Sequence, residues 1–266
     1  MNKTLFFASL KANWKLLLGT FLVLAMYQSV IIGMYDPESI EAMNALIKAF
    51  PEGMMSAFGY NLPANDLTSH MGTYLYGFLM LLFPLMYVVP AGNNLMAKHV
   101  DRGSMAYLLG TPNTRIRIAR TQAVFFVSST LLLFVSVVLF GMLVSEALFP
   151  GELNYGDYLL LNLVTVSVYM VLCGIAFLAS CVFNESRRSI MAGLGVPGLF
   201  LIFKMMSSAS EQLDGLKYAT LFSLIDVHGI FGHSGYALLT SGILIGAAVL
   251  LFILSIRIFD RRGLNI

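Results

Sequence analysis

Charge is scarce in this 266-residue chain: 11% of its residues are Asp, Glu, Lys or Arg and 58% are hydrophobic, whereas soluble domains carry about 25% charged residues. That shortage excludes an ordinary soluble enzyme. Cysteine is scarcer still, and the two present, Cys173 and Cys181, share one apolar stretch, so they offer neither a disulfide framework nor a zinc set. No G-x-x-x-x-G-K-[ST] phosphate loop occurs, which assigns any ATP chemistry to another polypeptide, and a net charge of +2 gives no reason to expect a nucleic-acid partner. The cores of the long apolar runs lack Asp, Glu, Lys, Arg and His, and no repeat relates the two halves. An ion-coupled secondary transporter, the main alternative function, usually carries ionisable residues at mid-membrane and often internal repeats. His70, His99, His228 and His233 fall in loops or at run ends, so an intramembrane metal or nucleophile site has no residues to use; Asp226 with His228 and His233 forms no strong metal motif.

What the chain does have is long apolar runs. A hydrocarbon core about 30 Å thick takes about 20 apolar residues per helix. The runs at 16–34, 72–89, 121–143, 158–182, 190–203 and 237–256 therefore predict a single-domain, all-α integral membrane protein with six spans. Snorkelling of Lys204 would extend the fifth run to about residue 206, and Gly193, Gly195, Pro197 and Gly198 predict a kink there. Thirteen of the 16 basic residues fall on one side of this topology, leaving Lys48, Lys204 and Lys217 on the other. The acids run the opposite way, with only Asp101, Glu185 and Asp260 on the basic side. The positive-inside rule then predicts that both termini lie in the cytoplasm.

Between the spans, Phe6, Leu10 and Trp14 recur at helical spacing and predict an interfacial helix over 2–15. Asp36, Pro37 and Glu38 read as a helix start that opens an outer amphipathic segment over 36–63. The outer loop 207–236 has an apolar middle that either dips back into the membrane or stays at its surface. Pro84 and Pro90 suit a hinge or plain helix packing, and Gly193, Gly195 and Pro197 suit a flexible gate or a close helix contact. Asn162, with Ser128, Ser129, Thr130, Ser136 and Thr165, is available either to a translocation path or to bonds between helices.

The segment over 93–115, between the second and third spans, is the most informative. Gly103 breaks the helix leaving the membrane, Ser104 can N-cap a new one, and Met105, Leu108 and Leu109 share one face at i, i+3, i+4. Gly110 ends that helix, and Thr111 with Pro112 starts the next, anchored by Arg115, Arg117 and Arg120. Such a two-turn helix either plugs into a groove on a soluble partner or lies on the membrane surface.

The pattern Asp101-x-Gly103-Ser104, then Leu108-Leu109, then Thr111-Pro112-x-x-Arg115, resembles the loop after the second span in permease subunits of ATP-binding-cassette exporters of the type-2 membrane family. Asp101 stands where Glu is usual, Ser104 where Thr is usual, and Thr121 near where a Lys often follows. The ending Phe259-Asp260-Arg261-Arg262-Gly263 is similar to the Phe-x-Arg-Arg-Asp ending of many such permeases, with Gly263 replacing Asp, and Phe183-Asn184-Glu185-Ser186 also fits. The resemblance implies a plasma-membrane half-transporter that pairs with a second copy or a related permease and exports a hydrophobic or amphipathic compound. It further implies cytoplasmic ATPase subunits that hold the ATP and magnesium, this chain having no cofactor. Asp101, Arg102, Gly103, Ser104, Met105, Leu108, Leu109, Pro112 and Arg115 would then form the ATPase-coupling element, with a short cytoplasmic coupling helix at its centre.

Overall fold

The computed structural model describes residues 2–36, 52–57, 66–110, 114–231 and 233–262. No β-strand occurs among them. Six helices are long and apolar enough to cross a membrane: span 1 (Lys3–Gly33), span 2 (Leu67–Leu95), span 3 (Arg115–Leu148), span 4 (Tyr155–Val182), span 5 (Ser186–Ala209) and span 6 (Ser234–Arg261). Spans 2, 3, 5 and 6 continue past both ends of their apolar runs, and span 4 past its start, because a helix does not stop where its first polar side chain appears. Arg115, Arg117 and Arg120 occupy the opening turns of span 3, whose start is capped by Thr114 accepting from the Arg117 amide at 3.2 Å. The sequence reading placed that cap at Thr111 and Pro112, which lie outside the described residues.

Span 1 corrects a second expectation. Residues 2–15 are not a separate interfacial helix but the first turns of a continuous helix of 31 residues. Nothing before Gly19 interrupts it, and its polar side chains have partners in the bundle. Ser9 Oγ donates to Gln122 Oε1 of span 3 at 2.8 Å, Asn13 Oδ1 accepts from Asn94 of span 2 at 3.0 Å, and Phe6 packs edge-on against Phe125. Most of the outer amphipathic segment predicted over 36–63 lies outside the described residues; within it Glu52–Ala57 forms a short helix.

Span 2 is the irregular one. Its helix widens to a π-helix over Leu75–Leu79, is interrupted at Phe83 and Pro84, and then runs unbroken through Pro90 to Leu95. Span 5 likewise continues as one helix through Pro197. A membrane helix tolerates the one lost backbone bond when neighbours pack against it, and Pro197 is buried. Span 4 is the most enclosed of the six and span 5 the least. Gly174 sets the seam between spans 4 and 6, where a Cβ would lie 2.8 Å from Leu251 Cβ.

The connection between spans 5 and 6 folds back into the bundle. Two 3-10 helices, Glu211–Ala219 and Leu221–Leu224, lead to the short helix Val227–Ile230. Phe222 is fully buried with its ring 6.5 Å from that of Tyr169, and Thr220 Oγ1 donates to the Phe200 carbonyl at 2.8 Å. Tyr169 lies about 21 Å by helical rise from the start of span 4, so this connection packs along the side of the bundle as well as at its end.

Both chain ends lie together. Arg115 Nη1 donates to the Arg262 carbonyl at 2.6 Å, Arg262 Nη1 donates to the Cys181 carbonyl at 2.6 Å, and the Asn2 amide donates to Thr121 Oγ1 at 2.9 Å. The starts of spans 1 and 3 and the ends of spans 4 and 6 thus share one basic end.

Candidate functional site

The segment joining spans 2 and 3 is built at this basic end. At Met96 the backbone leaves helical geometry (φ −131°, ψ −63°), a turn of helix follows over Ala97–Asp101, and Gly103 takes φ +69° before the helix Ser104–Leu109. A left-handed residue reverses the chain sharply, and only glycine does so at little steric cost. Gly103 is therefore the joint, and Ser104 is the first residue of the helix rather than its cap. The Ser104 hydroxyl reaches back instead, lying 3.0 Å from His99 Nδ1 and 3.3 Å from the His99 carbonyl.

Two sets of bonds fasten the segment to the bundle. The Ala97 amide donates to Ser180 Oγ of span 4 at 2.8 Å. Lys98 Nζ donates to Asn94 Oδ1 at 2.9 Å, and Asn94 in turn donates to Asn13 of span 1. Movement of this segment would therefore be felt directly by spans 1 and 4.

The orientation of the short helix overturns an expectation. Met105 is fully buried, and Leu108 and Leu109 pack, partly buried, on the hydrophobic core. The apolar face thus packs on the chain's own bundle, with Leu108 and Leu109 keeping part of their surface exposed. Burying these side chains removes apolar area from water at about 25 cal/mol per Å², and the Gly103 turn lets the helix fold back to do so. The opposite face carries Tyr107, 83% exposed, with Ala106 beside it and Asp101, Arg102 and Gly103 exposed nearby. Tyr107 was missed by sequence reasoning, although a large aromatic two residues after Met105, about 200° around the helix, was the available signal.

Of the remaining predicted residues, Arg115 bonds the Arg262 carbonyl, while Pro112 lies outside the described residues. A Cβ at Gly193 would lie 3.7 Å from Ala176 Cα and 3.8 Å from Val89 Cγ1, ordinary contact spacing, whereas one at Gly195 would meet open space. Asn162 is buried, accepting from Tyr76 Oη at 2.7 Å and donating to the Tyr158 carbonyl at 2.9 Å. Ser129 accepts from Tyr87, and Thr130 meets Cys173 at 3.4 Å. These polar groups join helices to one another. Among the described residues no group of His, Cys, Asp and Glu is arranged to hold a metal ion.

His99 is mostly enclosed, and burial together with the charges of Lys98 and Arg102 lowers its pKa from the ordinary 6.5. The unfolded chain then binds the proton more tightly than the folded one, so this contribution to stability is complete above pH 6.5 and declines as the pH falls below it. The melting temperature of the native chain is expected to drop on acidification from pH 7.5 to below 6.5, with a smaller drop for His99→Gln; equal drops would dismiss His99 as the cause.

A family model described as ABC-2 family transporter protein matches residues 6–264. No curated protein matches the chain.

Proposed function

The chain belongs to the ABC-2 transporter family, a multi-pass membrane component of an ABC transporter, and from that premise we propose that it is a plasma-membrane exporter subunit whose short helix Ser104–Leu109 receives the stroke of a separate cytoplasmic ATPase. In this reading both termini are cytoplasmic, the half-transporter pairs with a second copy or a related permease, and the cargo is hydrophobic or amphipathic. Asp101, Arg102 and Tyr107 would form the contact surface, and Met105, Leu108 and Leu109 the support behind it.

One observation carries this reading: a helix with its apolar face locked inward and a bare tyrosine outward, hydrogen-bonded through its leading segment to spans 1 and 4. A force applied at Tyr107 would pass through the buried Met105 and the Ala97–Ser180 bond into span 4, and through Asn94 and Asn13 into span 1. Rigid packing transmits such a displacement because close-packed interiors compress little. The phosphate loop missing from this chain leaves ATP and magnesium to the partner.

The test is co-purification with the ATPase encoded beside the gene, together with labelling by a membrane-impermeant maleimide. The pair is expected to form a complex with raised ATP hydrolysis. Tyr218→Cys, at an 85% exposed position far from the basic end, should label in intact cells, and Tyr107→Cys only in opened ones. Absence of a complex, or the reverse labelling, would sink the proposal.

A further inference from the structure

Span 5 keeps a lysine where an apolar helix has least reason to hold one. Lys204 lies about 7 Å by helical rise inside the end of the span that is remote from the basic end. The sequence suggests that it snorkels outward, but its partly buried side chain lines a cavity of about 340 Å³. Span 2 contributes Thr73 and Gly77 to the walls, span 5 contributes Ser207 and Ser208, and the returning connection closes the remainder. Gly77 belongs to the π-helical turn Leu75–Leu79, and such widened turns recur at functional sites.

Four charged side chains line this cavity: Lys204, Asp214, Lys217 and Asp226. Lys217 Nζ pairs with Asp214 at 2.6 Å, and the charge of Asp226 acts on Lys204. Among the described residues Lys204 has neither a hydrogen bond nor an ion pair from its ammonium group. A cation at this depth that makes no hydrogen bond or ion pair is costly even with the Asp226 charge nearby, and an anion that enters beside it lowers the cost. Hydroxyl donors are at hand on Thr73 and Ser208. Span 5, the least enclosed helix, also leaves Leu199 and Ile202 exposed as apolar surface for a tail.

We propose that this cavity binds the anionic head group, a carboxylate or a phosphate, of an amphipathic molecule, with Lys204 as its charged contact. The proposal rests on the permease reading only in treating such a molecule as cargo; the binding itself stands apart from it.

Dodecyl phosphate is the probe, titrated onto the purified chain in phosphatidylcholine nanodiscs. Saturable binding is expected, weakened about tenfold or more by Lys204→Met and retained by Lys204→Arg. In the absence of the probe the Lys204→Met chain should still melt in one cooperative transition, as the Lys204→Arg chain does, which separates a lost ligand from a lost fold. Repeating the titration in phosphatidylglycerol nanodiscs identifies the source: competition by the bilayer assigns the site to a lipid head group, and undiminished binding assigns it to a free amphiphile. Binding by Lys204→Met as tight as that of the native chain, or equal competition from neutral dodecyl maltoside, would overturn the proposal. Tyr107→Asp is expected to lose ATPase stimulation yet bind the probe normally, so failure of the binding site and failure of the coupling reading are told apart.

Discussion

Tyr107→Asp is expected to bring ATP hydrolysis by the partner down to the rate it shows without this chain, while the melting temperature of the chain itself stays unchanged. The expectation follows from exposure: at 83% the tyrosine makes little contact within the chain, so its removal leaves the fold alone. Buried aromatic anchors at interfaces typically contribute 2 kcal/mol or more, roughly a thirtyfold change in affinity. A carboxylate in that pocket adds the cost of an unpaired buried charge. Tyr107→Phe should preserve most of the coupling, because it retains the ring. Met105→Asp and Leu108→Asp should behave differently, lowering the melting temperature first, since their side chains pack into the chain's own core. Should Leu108→Asp abolish stimulation with an unaltered melting temperature while Tyr107→Asp stimulates normally, the working face of this helix has been assigned the wrong way round.

That contrast marks the boundary of what the sequence discloses. Six spans were legible because each apolar run is long enough to dominate its local composition, and Gly103 was legible because glycine between two helical patterns signals a break. The amphipathic face at Met105, Leu108 and Leu109 was legible as a face, but amphipathicity does not say which surface covers it. That depends on the direction in which Gly103 turns the chain and on how far spans 1 and 4 extend beside it, both of which are set by distant residues such as Asn13 and Ser180. Lys204 repeats the point. Near a helix end it reads as a snorkelling residue, and only the return of residues 211–230 into the bundle encloses it beside Thr73 and Ser208. The continuity of span 1 was hidden by its composition, since Ser9 and Asn13 look like surface residues until their partners on spans 2 and 3 are seen. Polar side chains in the middle of spans 3 and 4 were equally ambiguous, because a hydroxyl or amide serves a path and a helix contact with the same chemistry; Asn162 meets Tyr76 from another helix.

Gly141→Ala is expected to destabilise the chain strongly. A Cβ at this position of span 3 would overlap the Gln28 side-chain nitrogen and the Tyr158 hydroxyl, with Gln28 Cδ at 3.0 Å. Those two groups are themselves hydrogen-bonded at 3.0 Å, joining span 1 to span 4 directly across the backbone of span 3. Neither can give way cheaply. Tyr158 is fully buried, with its ring edge-on to Tyr76. Gln28 is also fully buried, and its Oε1 already has no partner, so turning the amide aside would leave the whole group unsatisfied. Overpacking costs about 1–3 kcal/mol and an orphaned buried polar group about 1–3 kcal/mol. The gain in helix propensity from glycine to alanine returns about 1 kcal/mol, which leaves a net loss of about 1–5 kcal/mol, to be measured by thermal melting in detergent. The double variant Gln28→Ala with Gly141→Ala separates this mechanism from a general intolerance of the position. Truncating Gln28 vacates the space that the new methyl needs, so the pair should lose distinctly less than the sum of the two single losses. Additive losses, or a Gly141→Ala chain that melts with the native one, would show that spans 1, 3 and 4 do not depend on the missing side chain at Gly141 for their contact.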